Sequence, residues 1–196
     1  MIKNIFVAAA FAVAGFSAQA NDLSNGGFES NNLGGNEYGY GYSAADWSAP
    51  LLITSGSGAW GVPSATAGTF NLGNFVAGIQ QNQVLTSDFA FVAGQSYTLT
   101  WDDAGRAGYA NQTYTVSAGG TTFADFGTVS GQAWGEHTET FTATSNGALS
   151  FAGHDAVDGT TFIDNVSVSA VPEPTSLMLM ALGTLGLLAW RRRAQV

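Results

Sequence analysis

Apolar and polar residues alternate with a period of two along much of this chain, which restricts it to sheet. Tyr97, Leu99 and Trp101 fall on one face of an extended segment, and Thr98, Thr100 and Asp102 on the other. Tyr114, Val116 and Ala118 alternate in the same way with Thr113, Thr115 and Ser117, and Phe141 and Ala143 with Thr140 and Thr142. Leu149 and Phe151 follow Asn146-Gly147, a dipeptide suited to a two-residue hairpin. Phe162, Val166 and Val168 read as a last alternating face, which also places Asp164 on that face. Further strands are expected over residues 47–53, 75–85 and 121–126, and residues 34–42, rich in Gly and Tyr, read as a surface loop. No long 3.6-residue period competes in this region. Many short strands separated by Gly-rich turns predict an all-β domain, an antiparallel β-sandwich with half-solvated, Thr-rich outer faces.

Both ends depart from this pattern. Lys3 precedes an apolar stretch over residues 5–16, and Ala18-Gln19-Ala20 supplies an A-x-A cleavage site, so residues 1–20 read as a signal peptide. At the other end, Val171-Pro172-Glu173-Pro174 precedes an uncharged run over residues 177–190, and Arg191-Arg192-Arg193 follows. The prolines lack N–H groups and fix φ, so neither helix nor central strand continues through them. At 1.5 Å per residue the run measures about 21 Å, against ~30 Å of hydrocarbon, which Trp190 and snorkelling arginines could extend. The expected organisation is a signal helix (1–20), a sandwich (21–170) and a tail with a short transmembrane helix (171–196).

Removing these end segments sharpens the charge. Between residues 21 and 170 the only basic residue is Arg106, against thirteen acids, a net charge of −12 with His neutral. Such a surface repels phosphate backbones, so nucleic acid is not an expected partner. The chain has no cysteine, so disulfides and thiolate metal sites are excluded.

Two resemblances follow from these residues. The C-terminal order of Val-Pro-Glu-Pro, apolar run and arginines resembles the PEP-CTERM sorting signal of Gram-negative bacteria. In that family a membrane-embedded exosortase cleaves at or near the motif, and the proteins are associated with exopolysaccharide and biofilm. The resemblance implies processing by signal peptidase and exosortase, transient inner-membrane insertion, then the cell surface or extracellular matrix. Asn25-Gly26-Gly27-Phe28-Glu29, the segment from Val92 to Leu99 and the segment from Phe162 to Val168 are together similar to carbohydrate-binding jelly-roll modules with a galactose-binding-like fold. That resemblance implies a jelly roll, and a structural Ca²⁺ held by Glu29 and Asp164 with backbone carbonyls.

Candidate sites can be weighed residue by residue. A bare carboxylate at Asp164 facing a core is costly, and a hard cation with oxygen ligands would offset that cost. A β-bulge turning it outward, or backbone N–H partners, would serve equally. Tyr38, Tyr40, Tyr42, Trp60 and Trp134 sit among glycines and are candidates for stacking on sugar, against ordinary loop packing. Trp47 and Trp101 read as core. Residues 102–106 (Asp-Asp-Ala-Gly-Arg) read as a capped acidic turn with a local Asp–Arg pair. His137 and His154 are the only histidines, and neither a G-x-S-x-G elbow nor an H-E-x-x-H motif occurs. The expectation is a non-catalytic exported protein that binds polysaccharide. The alternatives are a purely structural or adhesive role and, behind that, a glycan-active hydrolase.

Overall fold

The computed structural model describes residues 23–65, 69–123, 125–172 and 182–186. The signal segment and its Ala18 and Ala20 lie outside them, as do Glu173, Pro174 and Arg191–Arg193. Residues 182–186 are helical, and among the described residues no helix is long and apolar enough to cross a membrane.

Among the described residues twelve strands form two sheets. They are β1 (Tyr38–Tyr40), β2 (Trp47–Ser48), β3 (Leu51–Thr54), β4 (Phe75–Gln80), β5 (Val84–Ser87), β6 (Ser96–Gly105), β7 (Gln112–Ala118), β8 (Thr121–Thr122), β9 (Phe126–Thr128), β10 (Gly135–Thr142), β11 (Leu149–Gly153) and β12 (Thr160–Ala170). One sheet runs β1-β3-β4-β12-β6-β10; the other runs β2-β5-β11-β7-β8, with β9 also on β7. Every strand pair in both is antiparallel.

The expected inner faces form the main core. Tyr97, Leu99 and Trp101 from the first sheet meet Tyr114, Val116, Ala118, Leu149 and Phe151 from the second. Sheet on sheet is the only burial that period-two strands permit without helices, and the outer faces of β6 and β10 carry the matching threonines. The first sheet is also covered on part of its outer face. Leu51, Ile53, Val76, Ala104 and Phe162 pack there against Trp60, Leu72 and Trp134, giving a second, smaller core.

Four expectations need correction. Residues 47–53 are not one strand: Pro50 interrupts them, and β2 and β3 join different sheets. Residues 75–85 likewise divide at Gln81, which has φ of 57°, so β4 and β5 lie in different sheets. Asn146-Gly147 makes no hairpin, because β10 and β11 belong to opposite sheets and the connection crosses between them. Residues 34–42 are not loop throughout, since β1 adds to the sheet edge.

The face assignment in β12 is also corrected. Asp164 pairs with Asp102 and Ser167 with Thr100, so three steps on β12 oppose two on β6. This β-bulge inserts one residue, with Asn165 at φ of 49°, and reverses the face on which later side chains fall. Phe162 therefore joins the outer core, while Val166 and Val168 join the inner one.

Candidate functional site

Where β1, β4, β6 and β12 end together, a cluster of rings surrounds Arg106. Tyr38 and Tyr40 are two apart on β1, so both point to the outer side of the first sheet, opposite Ile53 and Leu51. Trp60 reaches them from the covering loop, with ring centroids 5.1 Å from Tyr38 and 6.0 Å from Tyr40. Arg106 follows directly after β6. Its guanidinium carbon lies 4.0 Å from the Trp60 ring centroid and 3.4 Å from that of Tyr109, a cation sandwiched between two faces. Its Nε donates to the Trp60 carbonyl at 3.1 Å, and Nη1 pairs with Asp158 Oδ1 at 3.5 Å.

A polar chain runs along the same edge. The Tyr40 hydroxyl donates to Gln80 Oε1 at 2.6 Å, and Gln80 Nε2 donates to Asp158 Oδ1 at 2.8 Å. Burial holds the Tyr40 phenol above its ordinary range, with the positive charge of Arg106 acting against it. Thr160 stands across from Gln80 in the β4–β12 ladder, and its buried hydroxyl has no partner among the described residues. Tyr38 (46%), Tyr40 (49%) and Tyr109 (39%) remain substantially exposed, so this edge presents three rings to solvent.

Of the aromatic candidates, the structure thus brings Tyr38, Tyr40 and Trp60 together. Trp60 is only 6% exposed and supports the cluster from beneath. Trp134 is equally buried, in the outer core, with Nε1 donating to the Pro63 carbonyl. Tyr42 is half-buried beside Gly39 and packs toward the main core. Trp47 and Trp101 are core, as expected. Sequence reading did not place Tyr109, Arg106, Gln80 or Asp158 in this cluster. The signal for Arg106 was available: it is the one cation in a strongly acidic domain. The expected acidic turn does not exist, because Asp102 and Asp103 lie within β6, and Arg106 pairs with Asp158 rather than with either of them.

The second constellation is acidic. The opening segment crosses the bulge of β12, where Val166 N donates to the Gly26 carbonyl at 3.0 Å. A side chain on Gly26 would collide with the Val166 carbonyl, at 1.8 Å. A side chain at Gly27 would lie 3.6 Å from Asp164 Oδ1 and 4.0 Å from Glu29 Cγ, so Asp164 and the stem of Glu29 both border Gly27. Glu29 Oε1 accepts from the Asn74 and Phe75 N–H groups at 2.7 and 3.0 Å, and Oε2 from Asn74 Nδ2 at 2.9 Å.

Asp164 is fully buried despite the bulge. Oδ1 accepts from Asn165 N at 2.7 Å, and Oδ2 has no partner among the described residues. Burial pushes its carboxyl up to about 9; the Asn165 N–H opposes this, and the negative charges of Asp102 and Glu29 add to it. Burial also raises Asp102, against the pull of its bond from Asn165 Nδ2. Among the described residues no three His, Asp or Glu side chains converge as a metal-binding group.

The histidines sit elsewhere. His137 Nε2 is 3.1 Å from Asp103 Oδ1, and its ring stacks on Trp101 at 4.9 Å. Asp103 Oδ2 accepts from the Tyr114 hydroxyl at 2.8 Å, and that hydroxyl accepts from Trp101 Nε1 at 3.0 Å. The bond to Asp103 raises the His137 pKa, outweighing burial. His154 Nε2 contacts the Thr115 hydroxyl, and Asp125 Oδ1 approaches that same ring nitrogen at 3.9 Å. A triad needs nucleophile and acid on opposite nitrogens of the ring, so this is not triad geometry.

Residues 170–193 match the PEP-CTERM protein-sorting motif. No curated protein matches this chain significantly. Its structural neighbours are carbohydrate-binding jelly-roll modules and related domains. A family 16 carbohydrate-binding module is similar at 16% identity and a TM-score of 0.44, over 74% of this chain and 97% of that one. A family 61 module in complex with β-1,4-galactotriose is similar at 12% identity and a TM-score of 0.43, over 76% and 97%. A cleaved adhesin domain of Lys-gingipain from Porphyromonas gingivalis is similar at 15% identity and a TM-score of 0.43, over 66% and 94%.

Proposed function

We propose that this chain is an exported, non-catalytic jelly-roll protein of a Gram-negative cell. In this reading its C-terminal motif hands it to exosortase at the inner membrane, and it then serves at the surface or in the matrix by binding polysaccharide. The observation that carries the binding is the exposed trio Tyr38, Tyr40 and Tyr109, gathered from distant segments around the Trp60–Arg106 stack. Sugar rings present C–H faces that stack on such aromatics, and polar groups at the edge orient their hydroxyls. Affinity electrophoresis of the full chain in detergent, through gels containing soluble polysaccharides and Ca²⁺, tests this. Retardation on at least one polymer is the expected outcome, and none on any would refute it.

The unpartnered Oδ2 of buried Asp164, close enough to Glu29 to feel its charge, suits a Ca²⁺ ion. In this reading Glu29 and Asp164 would hold the ion, with backbone and water oxygens completing the shell. Its contribution would be to compensate a buried carboxylate and fasten the opening segment to β12.

A purely structural role is favoured by one further observation. The outer faces of β6 and β10 carry a ladder of paired hydroxyls, Ser96 with Thr142 at 2.9 Å and Thr98 with Thr140 at 3.3 Å, a polar face with no aromatic ring in these pairs.

A further inference from the structure

We infer that the ring cluster selects a neutral glycan and rejects uronate-rich, sulfated or phosphorylated polymers; this rests on the polysaccharide reading above. Recognition of an anionic sugar calls for a cation free to make a charge-assisted bond. Arg106 is the only basic residue between positions 21 and 170, and it is already engaged. Its two faces lie against Trp60 and Tyr109, its Nε is bonded to the Trp60 carbonyl and its Nη1 is paired with Asp158. It is also buried, so its role is to hold two rings in place rather than to meet a ligand.

The charge that does reach solvent at this edge is negative. The Asp158 side chain is 60% exposed. Its Oδ1 accepts from Gln80 and faces Arg106, while Oδ2 carries no hydrogen bond among the described residues. An ionised carboxylate oxygen with spare capacity suits a hydroxyl donor and repels another anion. The net negative charge of the domain adds to that repulsion. What remains attractive is three exposed ring faces and an acceptor at their rim, which is complementary to the C–H faces and hydroxyls of an uncharged sugar.

The test compares full-chain protein in detergent on gels containing neutral polymers (xylan, galactan, glucomannan) or polyuronates (alginate, polygalacturonate), at about 50 and about 500 mM NaCl. The expected result is retardation on a neutral polymer that changes less than about twofold with salt, and none on the polyuronates. Retardation on a polyuronate that falls with salt would overturn the neutral assignment while leaving polysaccharide binding intact. Retardation on nothing would defeat both. Asp158→Asn, checked for an unchanged melt, should weaken neutral-polymer binding about tenfold, as expected for loss of a charged acceptor. Unchanged binding in that variant would overturn the role given to Asp158.

Discussion

Asp164 is the residue whose environment demands most. A carboxylate with one oxygen unpartnered and no exposure either keeps its proton or finds a cation. The two outcomes separate experimentally. With Ca²⁺ at about 1 mM the melting temperature should exceed that in EDTA by several degrees, because an ion bound only by the folded state stabilises it. Equal melts would remove the ion from the account. In EDTA the proton is the remaining compensation. An unfolded Asp ionises near 4, whereas folded Asp164 does so at about 9. Between these values the folded state binds a proton that the unfolded state lacks, so this contribution is full below about pH 4 and is lost as pH rises towards 9. The melting temperature of the wild type, measured in EDTA relative to Asp164→Asn, should therefore fall between about pH 5.5 and 8. A difference that stays flat or rises would contradict the buried, protonated carboxyl.

Among the strands, two local devices set where side chains fall. The Asn165 bulge turns Phe162 outward and Val166 inward, and Gln81 carries the chain from β4 to β5 with a left-handed φ of 57° that suits glycine better. Gln81→Gly should therefore stabilise the fold by about 1 kcal/mol, raising the melting temperature by about 2–4 °C; a drop would show that the Gln81 side chain matters more than its backbone. These devices also mark the limit of what the sequence revealed. The inner faces of β6 and β7 were legible because period two survives wherever one face is buried and the other wet. A bulge at Asp164 was one of the alternatives, but the sequence did not decide for it, because an inserted residue leaves the apolar residues in plausible alternation while reversing their faces. Pro50 was a visible breaker within 47–53. Asn146-Gly147 misled because turn chemistry fixes a local bend and not which sheet the chain enters next. At the site, Glu29 and Asp164 were singled out through their positions in an opening motif and a closing strand. The ring cluster was half found, since tyrosines and a tryptophan among glycines stand out, whereas Gln80, Arg106 and Asp158 meet only through folding.

At the scale of the whole molecule, β12 links the ring cluster proposed to bind polysaccharide with the sorting motif. It starts at Thr160, across from Gln80 at the ring cluster, and ends at Ala170, paired with Tyr97. Val171 still belongs to the folded unit, since its N–H donates to the Ser96 carbonyl at 2.8 Å and its carbonyl accepts from Gln95 Nε2 at 3.2 Å. Ten steps of about 3.3 Å place the rings about 33 Å from the start of the sorting tail. A chain held at a membrane by that tail would present its rings outward. Because the protein has no cysteine, single labels at Val92→Cys, near the tail end, and Val157→Cys, near the rings, can report this in vesicles. Headgroup-quencher lipids should quench the Val92 label more strongly, and the reverse order would contradict the arrangement. The central claim is that the exposed rings hold polysaccharide, and the most direct measurement is the dissociation constant for the polymer that best retards the wild type, compared with Tyr40→Ala/Tyr109→Ala. Loss of two stacking rings predicts binding weaker by about tenfold or more with a melting temperature changed by only a few degrees. An unchanged dissociation constant in that folded double variant would contradict the account.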